Sequence, residues 1–163
     1  MERYSRKNSL EFHGIPDEVN MPTDQVVCKI AQAIGVEKQE DDIEISRRIG
    51  RKRRDKPVLA KFVSHKVKSK IYKARTNLKA VSVQRLFPGS SVSSVRETTT
   101  RPKRIYINEN LTPYRKEMMG LAVEKRHDGK INRVWTLDGK IFIKTTPTGN
   151  PRQMFSIEDV KEL

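Results

Sequence analysis

The chain has 163 residues, of which 34 are Lys or Arg and 20 are Asp or Glu, so its formal net charge is +14. Leu, Ile, Val and Phe make up about a quarter of the chain, enough for a modest core and above the composition typical of disordered chains. No apolar run approaches the length of a membrane span, and no signal peptide opens the chain. The single cysteine, Cys28, excludes a disulfide framework and a cysteine-based zinc domain, and it favours a cytosolic or nuclear location.

The positive charge belongs to one segment. Residues 1–45 have a net charge of −5, residues 46–104 of +17 and residues 105–163 of +2. Such a one-sided field predicts a polyanionic partner, and nucleic acid is the obvious one. A nuclear-localisation stretch or a solvated loop is the alternative for the densest cluster. This cluster comprises Arg47, Arg48, Arg51, Lys52, Arg53, Arg54 and Lys56.

The first third of the chain predicts a strand, a helix and a second strand. Residues 8–16 alternate apolar and polar side chains before a Gly and a Pro, which is typical of a strand and its exit. An apolar stripe at helical spacing follows Thr23, a good N-cap, and ends before Gly35. Residues 42–51 hold isoleucines at even separations, so Ser46 and Arg48 are expected on the outer face of the second strand. Residues 51–56 are too charged to be buried and predict a basic loop.

The next segment predicts a third strand, a second helix and a fourth strand. Residues 57–64 place Val58, Ala60 and Phe62 on the core face and Leu59, Lys61 and Val63 on the outer face. The following helix has the apolar stripe Val67, Ile71, Ala74 and Leu78 and a basic face of Lys66, Lys68, Lys70, Lys73, Arg75 and Lys79. Residues 80–103 predict a long, mobile hairpin or loop, and residues 104–108 a short strand.

This order predicts an α+β, ferredoxin-like fold, a four-stranded antiparallel sheet with two helices on one face, as in the RNA-recognition motif. Glu11 occupies the outward position where that motif has a stacking aromatic, and the third strand also lacks one. Tyr106 is the one aromatic with the parity to be exposed. Such a surface should hold phosphates more than bases, with salt-dependent and weakly sequence-specific binding. A non-binding ferredoxin-like fold with a solvated face is the alternative.

Residues 111–163 predict a small α+β C-terminal domain. Thr112 caps a helix that has Pro113 at its first position and Tyr114, Met118, Leu121 and Ala122 along its stripe. Strands at residues 133–137 and 140–144 are joined by Asp138-Gly139, a strong hairpin signal. Residues 146–151 predict a loop, and Ser156 to Asp159 resembles a capping box before a short helix. The predicted organisation is therefore an extension at residues 1–7, a first domain at 8–110 and a second at 111–163.

The sequence contains no recognisable catalytic constellation. Nucleotide-binding loops, serine-hydrolase elbows and zinc-protease motifs are absent. The three histidines, His13, His65 and His127, are scattered, and Cys28 lies among apolar residues of the first helix, as a packed thiol does. The acidic run that includes Glu40 to Asp42 and Glu44 is typical of a solvated loop. We therefore expect a protein without enzymatic activity, cofactor or metal, and a nuclease is the remaining enzymatic alternative.

Several stretches carry a family resemblance. Residues 8–16 (NSLEFHGIP), 47–50 (RRIG) and 57–75 (PVLAKFVSHKVKSKIYKAR) resemble the noncanonical RNA-recognition domain of the first-open-reading-frame protein of LINE-type retrotransposons. Residues 105–116 (IYINENLTPYRK) and 134–144 (VWTLDGKIFIK) resemble the domain that follows it, and still more its relative in the baculovirus few-polyhedra protein. The similar stretches cover most of residues 5–163, in matching order and spacing.

The resemblance implies a binder of single-stranded RNA and DNA with nucleic-acid chaperone activity and no catalytic site. It implies ribonucleoprotein particles in the cytoplasm, the nucleus or both. The family's basic positions fall on Arg48, Lys61 and Arg115, with Lys116 beside the last, and they should converge in a cleft between the two domains. With the basic cluster, the expected nucleic-acid contacts are Arg47, Arg48, Arg51, Lys52, Arg53, Arg54, Lys61, Arg104, Tyr106, Arg115 and Lys116.

Two features depart from the retrotransposon pattern. That family has an upstream coiled coil through which it self-associates, whereas only residues 1–7 precede the first strand here. The chain is therefore expected to be a fragment or a monomeric derivative. Residues 80–103 are also longer than their counterpart. The few-polyhedra resemblance keeps open an alternative function, a protein-interaction module acting in assembly or trafficking.

Overall fold

The computed structural model describes residues 6–37, 40–51, 56–89 and 104–163. The chain divides into two units, Asn8–Asn108, and Glu109–Leu163 together with Arg6 and Lys7. Arg6 belongs with the second unit because its guanidinium donates to the side chain of Asn110, at 2.5 Å, and to the carbonyl of Leu111, at 3.4 Å. None of the described helices is long and apolar enough to span a bilayer.

The first unit is built on a four-stranded antiparallel sheet, as the alternating segments predict. Its strands are β1 (Ser9–His13), β2 (Ile43–Arg48), β3 (Val58–Phe62) and β4 (Tyr106–Glu109), in the spatial order β2-β3-β1-β4. Its helices are α1 (Thr23–Ala33), α2 (His65–Ala74) and the short α3 (Val83–Leu86), and 3-10 turns cover Glu40–Asp42 and Arg75–Ala80. The predicted mixed α+β class with a four-stranded sheet is confirmed.

The helices cover one face of this sheet. Leu10 and Phe12 of β1 are fully buried there, as the predicted parity requires. They share one core with apolar side chains of β3 and of all three helices, namely Val58, Ala60, Phe62, Val26, Val27, Ile30, Ala31, Ile71, Val83 and Leu86. The helix α1 begins at Thr23 itself, and Pro22 takes the cap position that the sequence assigned to Thr23. The opposite face of the sheet, here called the open face, is not covered by these helices.

A bulge in β2 overturns the predicted orientation of its side chains. Ile43 pairs with Phe62, whereas Ile45 pairs with the preceding residue, Lys61, so one extra residue enters the strand at Glu44. Because a bulge reverses the alternation beyond it, Ile43 is buried but Ile45 is 57% exposed. Ser46 and Arg48 therefore lie on the helix-covered face. The prediction that they face outward was wrong, and the outward side chains are Ile45 and Arg47.

The start of the predicted loop at residues 80–103 is folded. Helix α3 occupies part of it, and Val83, Leu86 and Phe87 are buried in the core of the first unit. The loop prediction was therefore wrong for this part, because three apolar residues within five were overlooked amid Ser, Thr and Arg. Residues 90–103 lie outside the described part of the chain.

The second unit contains a helix, a three-stranded sheet and a short final helix. These are α4 (Pro113–His127), β5 (Arg133–Leu137), β6 (Lys140–Lys144), β7 (Arg152–Met154) and α5 (Ile157–Lys161), with the strands in the order β5-β6-β7. Strand β7 was not predicted, and it is only three residues long. The two longer strands are in their predicted positions.

The predicted end signals of the second unit are confirmed. The hydroxyl of Thr112 accepts from the backbone N–H of Arg115, and Pro113 opens α4. Asp138 and Gly139 both have positive φ, 51° and 74°, as a two-residue hairpin turn with the twist of its strands requires. Ser156 and Asp159 form a reciprocal capping box. The core holds Met118, Ala122, Ile131, Val134, Ile141, Ile143, Met154 and Val160.

Candidate nucleic-acid interface

The open face of the first sheet carries two rows of outward side chains across its strands. Arg47 on β2 stands opposite Leu59 on β3, and Leu59 stands opposite Glu11 on β1. In the neighbouring row, Lys61 on β3 has Ile45 and Ser9 on its two sides. Arg47 is exposed, and the described residues provide no partner for its guanidinium. This face therefore offers cations on β2 and β3 beside small apolar surfaces.

An aromatic pair lies on the same face, on β1 and β4. The imidazole of His13 stacks on the phenol ring of Tyr106, with ring centroids 4.7 Å apart and planes 5° from parallel. Tyr106 is 52% exposed, which confirms its predicted outward parity. His13 was absent from the expected contacts, although its outward position in β1 was the signal that could have found it. The pair is a surface on which a base can stack.

The position between these groups is closed. Glu11 lies on the outward side of β1, as predicted, but it is only 2% exposed, and Ser9 is 5% exposed. A base therefore has no access to the site where the RNA-recognition motif has its first-strand aromatic. The accessible groups of the open face are on β2, on β3 and on β4, where Tyr106 and Asn108 are exposed, together with the partly exposed His13 of β1.

The guanidinium of Arg48 forms its hydrogen bonds within the first unit. Its Nη1 donates to the carbonyls of Lys56, at 2.9 Å, and Ile15, at 3.2 Å, and its Nη2 donates to the carbonyl of Pro16, at 2.9 Å. The carboxylate of Asp17 lies 3.6 Å from Nη1. This guanidinium joins the end of β2 to the exit of β1, so its five donors are largely used within the protein.

The two other positions implied by the resemblance also have internal partners. The ammonium group of Lys61 is 3.1 Å from a carboxylate oxygen of Glu44, in a solvent-exposed pair. The guanidinium of Arg115 donates to the carbonyl of Gly139, in the β5–β6 turn. Glu109 accepts from the backbone N–H groups of Asp138 and Gly139, both at 2.8 Å, so the same turn is held from two sides. The expectation that Arg48, Lys61 and Arg115 converge stays a prediction.

The remaining expected contacts fall into two groups. Arg51, Arg104 and Lys116 are exposed, as a phosphate-binding side chain must be. Lys52, Arg53 and Arg54 lie outside the described residues. Arg104 lies two residues before the start of β4, and its backbone carbonyl approaches Gly14 so closely that a Cβ on Gly14 would collide with it.

The positive charge of the first unit extends beyond the open face. Lys66, Lys70, Lys73 and Lys79 are exposed on the helix layer, which faces away from it. Lys68 was predicted among them, but it is buried at 2% exposure, with its ammonium 5.5 Å from the centroid of the Tyr72 ring. The guanidinium of Arg75 lies 3.8 Å from the same ring. Charge alone therefore does not select a binding face, and the aromatic pair is what distinguishes the open face.

Cys28 has the environment of an unreactive thiol. Burial, together with the negative charges of Glu40, Asp24 and Asp42, raises the pKa of the Cys28 thiol. A raised pKa keeps the sulfur protonated at neutral pH and lowers its reactivity. Within the described ranges, no group of three or more His, Cys, Asp or Glu side chains could hold a metal ion.

Comparison with known proteins gives no match, either among protein-family models or among curated proteins. The assignment of function therefore depends on the residues described above and on their geometry.

Proposed function

We propose that this chain is a non-enzymatic module that binds single-stranded RNA or DNA with low sequence specificity and acts as a nucleic-acid chaperone. The first unit is proposed to be a ferredoxin-like fold of the RNA-recognition type. The strand order β2-β3-β1-β4, the helix layer on one face and the chain order of strands and helices support this assignment. The second unit is proposed to be the small C-terminal domain that accompanies it.

One observation carries the proposal. The open face combines the exposed guanidinium of Arg47 and the ammonium of Lys61 with the exposed Tyr106–His13 stack. Cations hold the phosphate backbone by releasing its counterions, and an aromatic ring accepts any base. With Glu11 and Leu59 at the two central positions, base-specific contacts are few, so the binding energy comes mainly from phosphates.

The family relationship is part of the proposal. The chain is proposed to be a retrotransposon-derived protein that works in ribonucleoprotein particles in the cytoplasm, the nucleus or both. Its open-face contacts differ from those the resemblance implies, because the bulge in β2 exchanges Arg48 for Arg47 on the open face. Arg51, Arg104, Arg115 and Lys116 remain candidate phosphate contacts.

A comparison of two charge deletions tests the proposal. Arg47→Ala removes a cation from the open face, and Lys70→Ala removes one from the helix layer of the same unit. Fluorescence anisotropy with labelled 20-nucleotide RNA and DNA should show weaker binding for Arg47→Ala with every sequence, and little change for Lys70→Ala. Equal losses for the two variants would contradict the assignment of the open face. The absence of binding to any oligonucleotide would contradict the function.

A protein-interaction module is the second candidate function, and exposed apolar side chains favour it. Ile45 in β2 and Val63 just after β3 are 57% and 62% exposed, and both lie toward the β2 edge of the sheet, where a partner could bury them. The test is a pull-down after nuclease treatment, comparing the wild-type chain with Ile45→Ser. A partner retained by the wild type and lost by this variant, with oligonucleotide affinity unchanged, would favour the second function.

A further inference from the structure

The second unit has an aromatic and cationic surface of its own, on the face of its sheet opposite the core. Trp135 on β5 pairs directly with Phe142 on β6, and their rings stack with centroids 5.9 Å apart and planes 18° from parallel. Both side chains are partly exposed, whereas their strand neighbours Val134 and Ile143 point into the core. We call the outward surface around Trp135 and Phe142 the aromatic platform.

Positive charge surrounds the aromatic platform. Arg133 and Lys144 face each other across β5 and β6 at one end, and the Arg133 guanidinium lies 5.7 Å from the centroid of the Trp135 ring. Lys140 stands opposite Leu137 at the other end, and Gln153 of β7 pairs with Phe142. No outward residue of these three strands is acidic. Two stacked rings lie between cations, and the one carboxylate of the hairpin, Asp138, is in the turn rather than on the strands, so the surface matches a polyanion with flat apolar groups.

We propose that the aromatic platform is a second binding site for single-stranded nucleic acid, at which bases stack on Trp135 and Phe142. Arg133, Lys140 and Lys144 then contact the phosphates on either side of the stacked nucleotides. The site requires neither the open face of the first unit nor any particular base, because every base has a flat ring face. It gives the chain a second place for base stacking, in addition to the Tyr106–His13 pair on the open face of the first unit.

The sequence provides a direct reporter, because Trp135 is the only tryptophan of the chain. A base stacked on the indole should quench its fluorescence. Oligo(dT) of 12 nucleotides is the probe, and an abasic oligonucleotide of the same length is the control, since it keeps the phosphates and lacks the bases. We expect oligo(dT) to quench the fluorescence of Trp135 and the abasic strand to leave it nearly unchanged.

Variants separate stacking from charge. Phe142→Leu and Trp135→Leu should each weaken oligo(dT) binding by about 5- to 140-fold, the range measured for loss of one base–aromatic stack, without weakening abasic binding. Trp135→Phe should keep most of the affinity, which shows that the strand still folds. Lys144→Gln should weaken the binding of oligo(dT) and of the abasic strand to the same extent. Phe155→Ala removes another exposed aromatic of this unit, outside its strands, and should change neither.

The outcomes distinguish this site from the proposed function. Oligo(dT) binding without quenching, and with equal affinity for wild type and Trp135→Leu, would overturn the platform and leave the function of the first unit intact. Quenching that persists when Arg47→Ala has weakened total binding would support two separate sites. A chain that binds neither oligonucleotide would overturn both proposals.

Discussion

Replacing Arg48 tests whether this residue is a structural group or a nucleic-acid contact. Arg48→Ala removes three hydrogen bonds from a charged donor to the carbonyls of Ile15, Pro16 and Lys56, together with the ion pair to Asp17. One hydrogen bond to a charged group contributes about 1.5–3 kcal/mol, and an exposed ion pair about 0–1 kcal/mol. The Arg48 side chain is 23% exposed, and water can reach part of what it leaves behind. We therefore expect a loss of about 2–4 kcal/mol, less than the sum of the bonds.

The neighbouring Arg47 is the matched control. Its side chain is exposed and has no described partner, so Arg47→Ala should change the free energy of unfolding by less than about 0.5 kcal/mol. Urea unfolding followed by far-ultraviolet circular dichroism measures both variants, and oligonucleotide anisotropy measures binding at a temperature where both remain folded. Arg48→Lys should recover little stability, because an ammonium group cannot reach three carbonyls as a guanidinium does.

The two residues should therefore separate stability from binding. Arg48→Ala should lower the urea midpoint with little change in the oligonucleotide affinity of the folded protein. Arg47→Ala should weaken oligonucleotide binding with little change in the urea midpoint. A stable Arg48→Ala variant with strongly reduced affinity would refute this account. It would mean that the hydrogen bonds of Arg48 give way to phosphate in the complex.

Three further predictions concern single positions. Glu44→Gln removes the carboxylate that competes with phosphate for Lys61, so oligonucleotide affinity should rise by about 1.5- to fivefold. An unchanged affinity in anisotropy would remove Lys61 from the site. Gly14→Ala should cost at least about 2 kcal/mol of unfolding free energy, because Gly14 has a φ of 83° and a Cβ would meet the backbone of Arg104. Gly35→Ala is the control and should cost less, because Gly35 has a similar φ of 87° but open space around it. Equal losses on urea unfolding would contradict the close approach of Gly14 to Arg104. Hydrogen bonds from the backbone N–H of Phe155, from the N–H of Ser156 and from its hydroxyl lower the pKa of Asp159. The capping box should therefore stabilise α5 fully at neutral pH and lose that contribution as the pH falls through the lowered pKa. An ordinary pKa for Asp159 in a carboxyl NMR titration would contradict this.

Local sequence signals predicted most elements of both units. Alternating segments located β1 and β3 with the correct buried parity, and Asp138-Gly139 located the β5–β6 hairpin. The end signals at Thr112 and Ser156 were also correct, because capping involves residues three positions apart. Features whose stabilising partners are near in sequence could therefore be predicted.

Features that depend on distant partners could not be predicted. The bulge at Glu44 shows only in the pairing of β2 with β3, and it moves Arg47 and Arg48 to exchanged faces. The burial of Lys68 is an exception, because its ammonium lies over the Tyr72 ring only one turn along the same helix, and the sequence pattern treated Lys68 as one more exposed basic position. The pairing of Trp135 with Phe142 follows from the hairpin register. The structure adds the positions of the cations around the two rings, which make the pair a candidate binding surface.

The salt dependence of binding tests the central claim most directly. The equilibrium constant for a 20-nucleotide single strand should be measured between 50 and 300 mM salt, with RNA and DNA of several sequences. The account predicts a linear fall of log K against log salt, with a slope of about −0.7 for each phosphate contacted, and similar affinities for all sequences. A slope near zero, or tight binding to one sequence alone, would contradict a phosphate-binding module of low specificity.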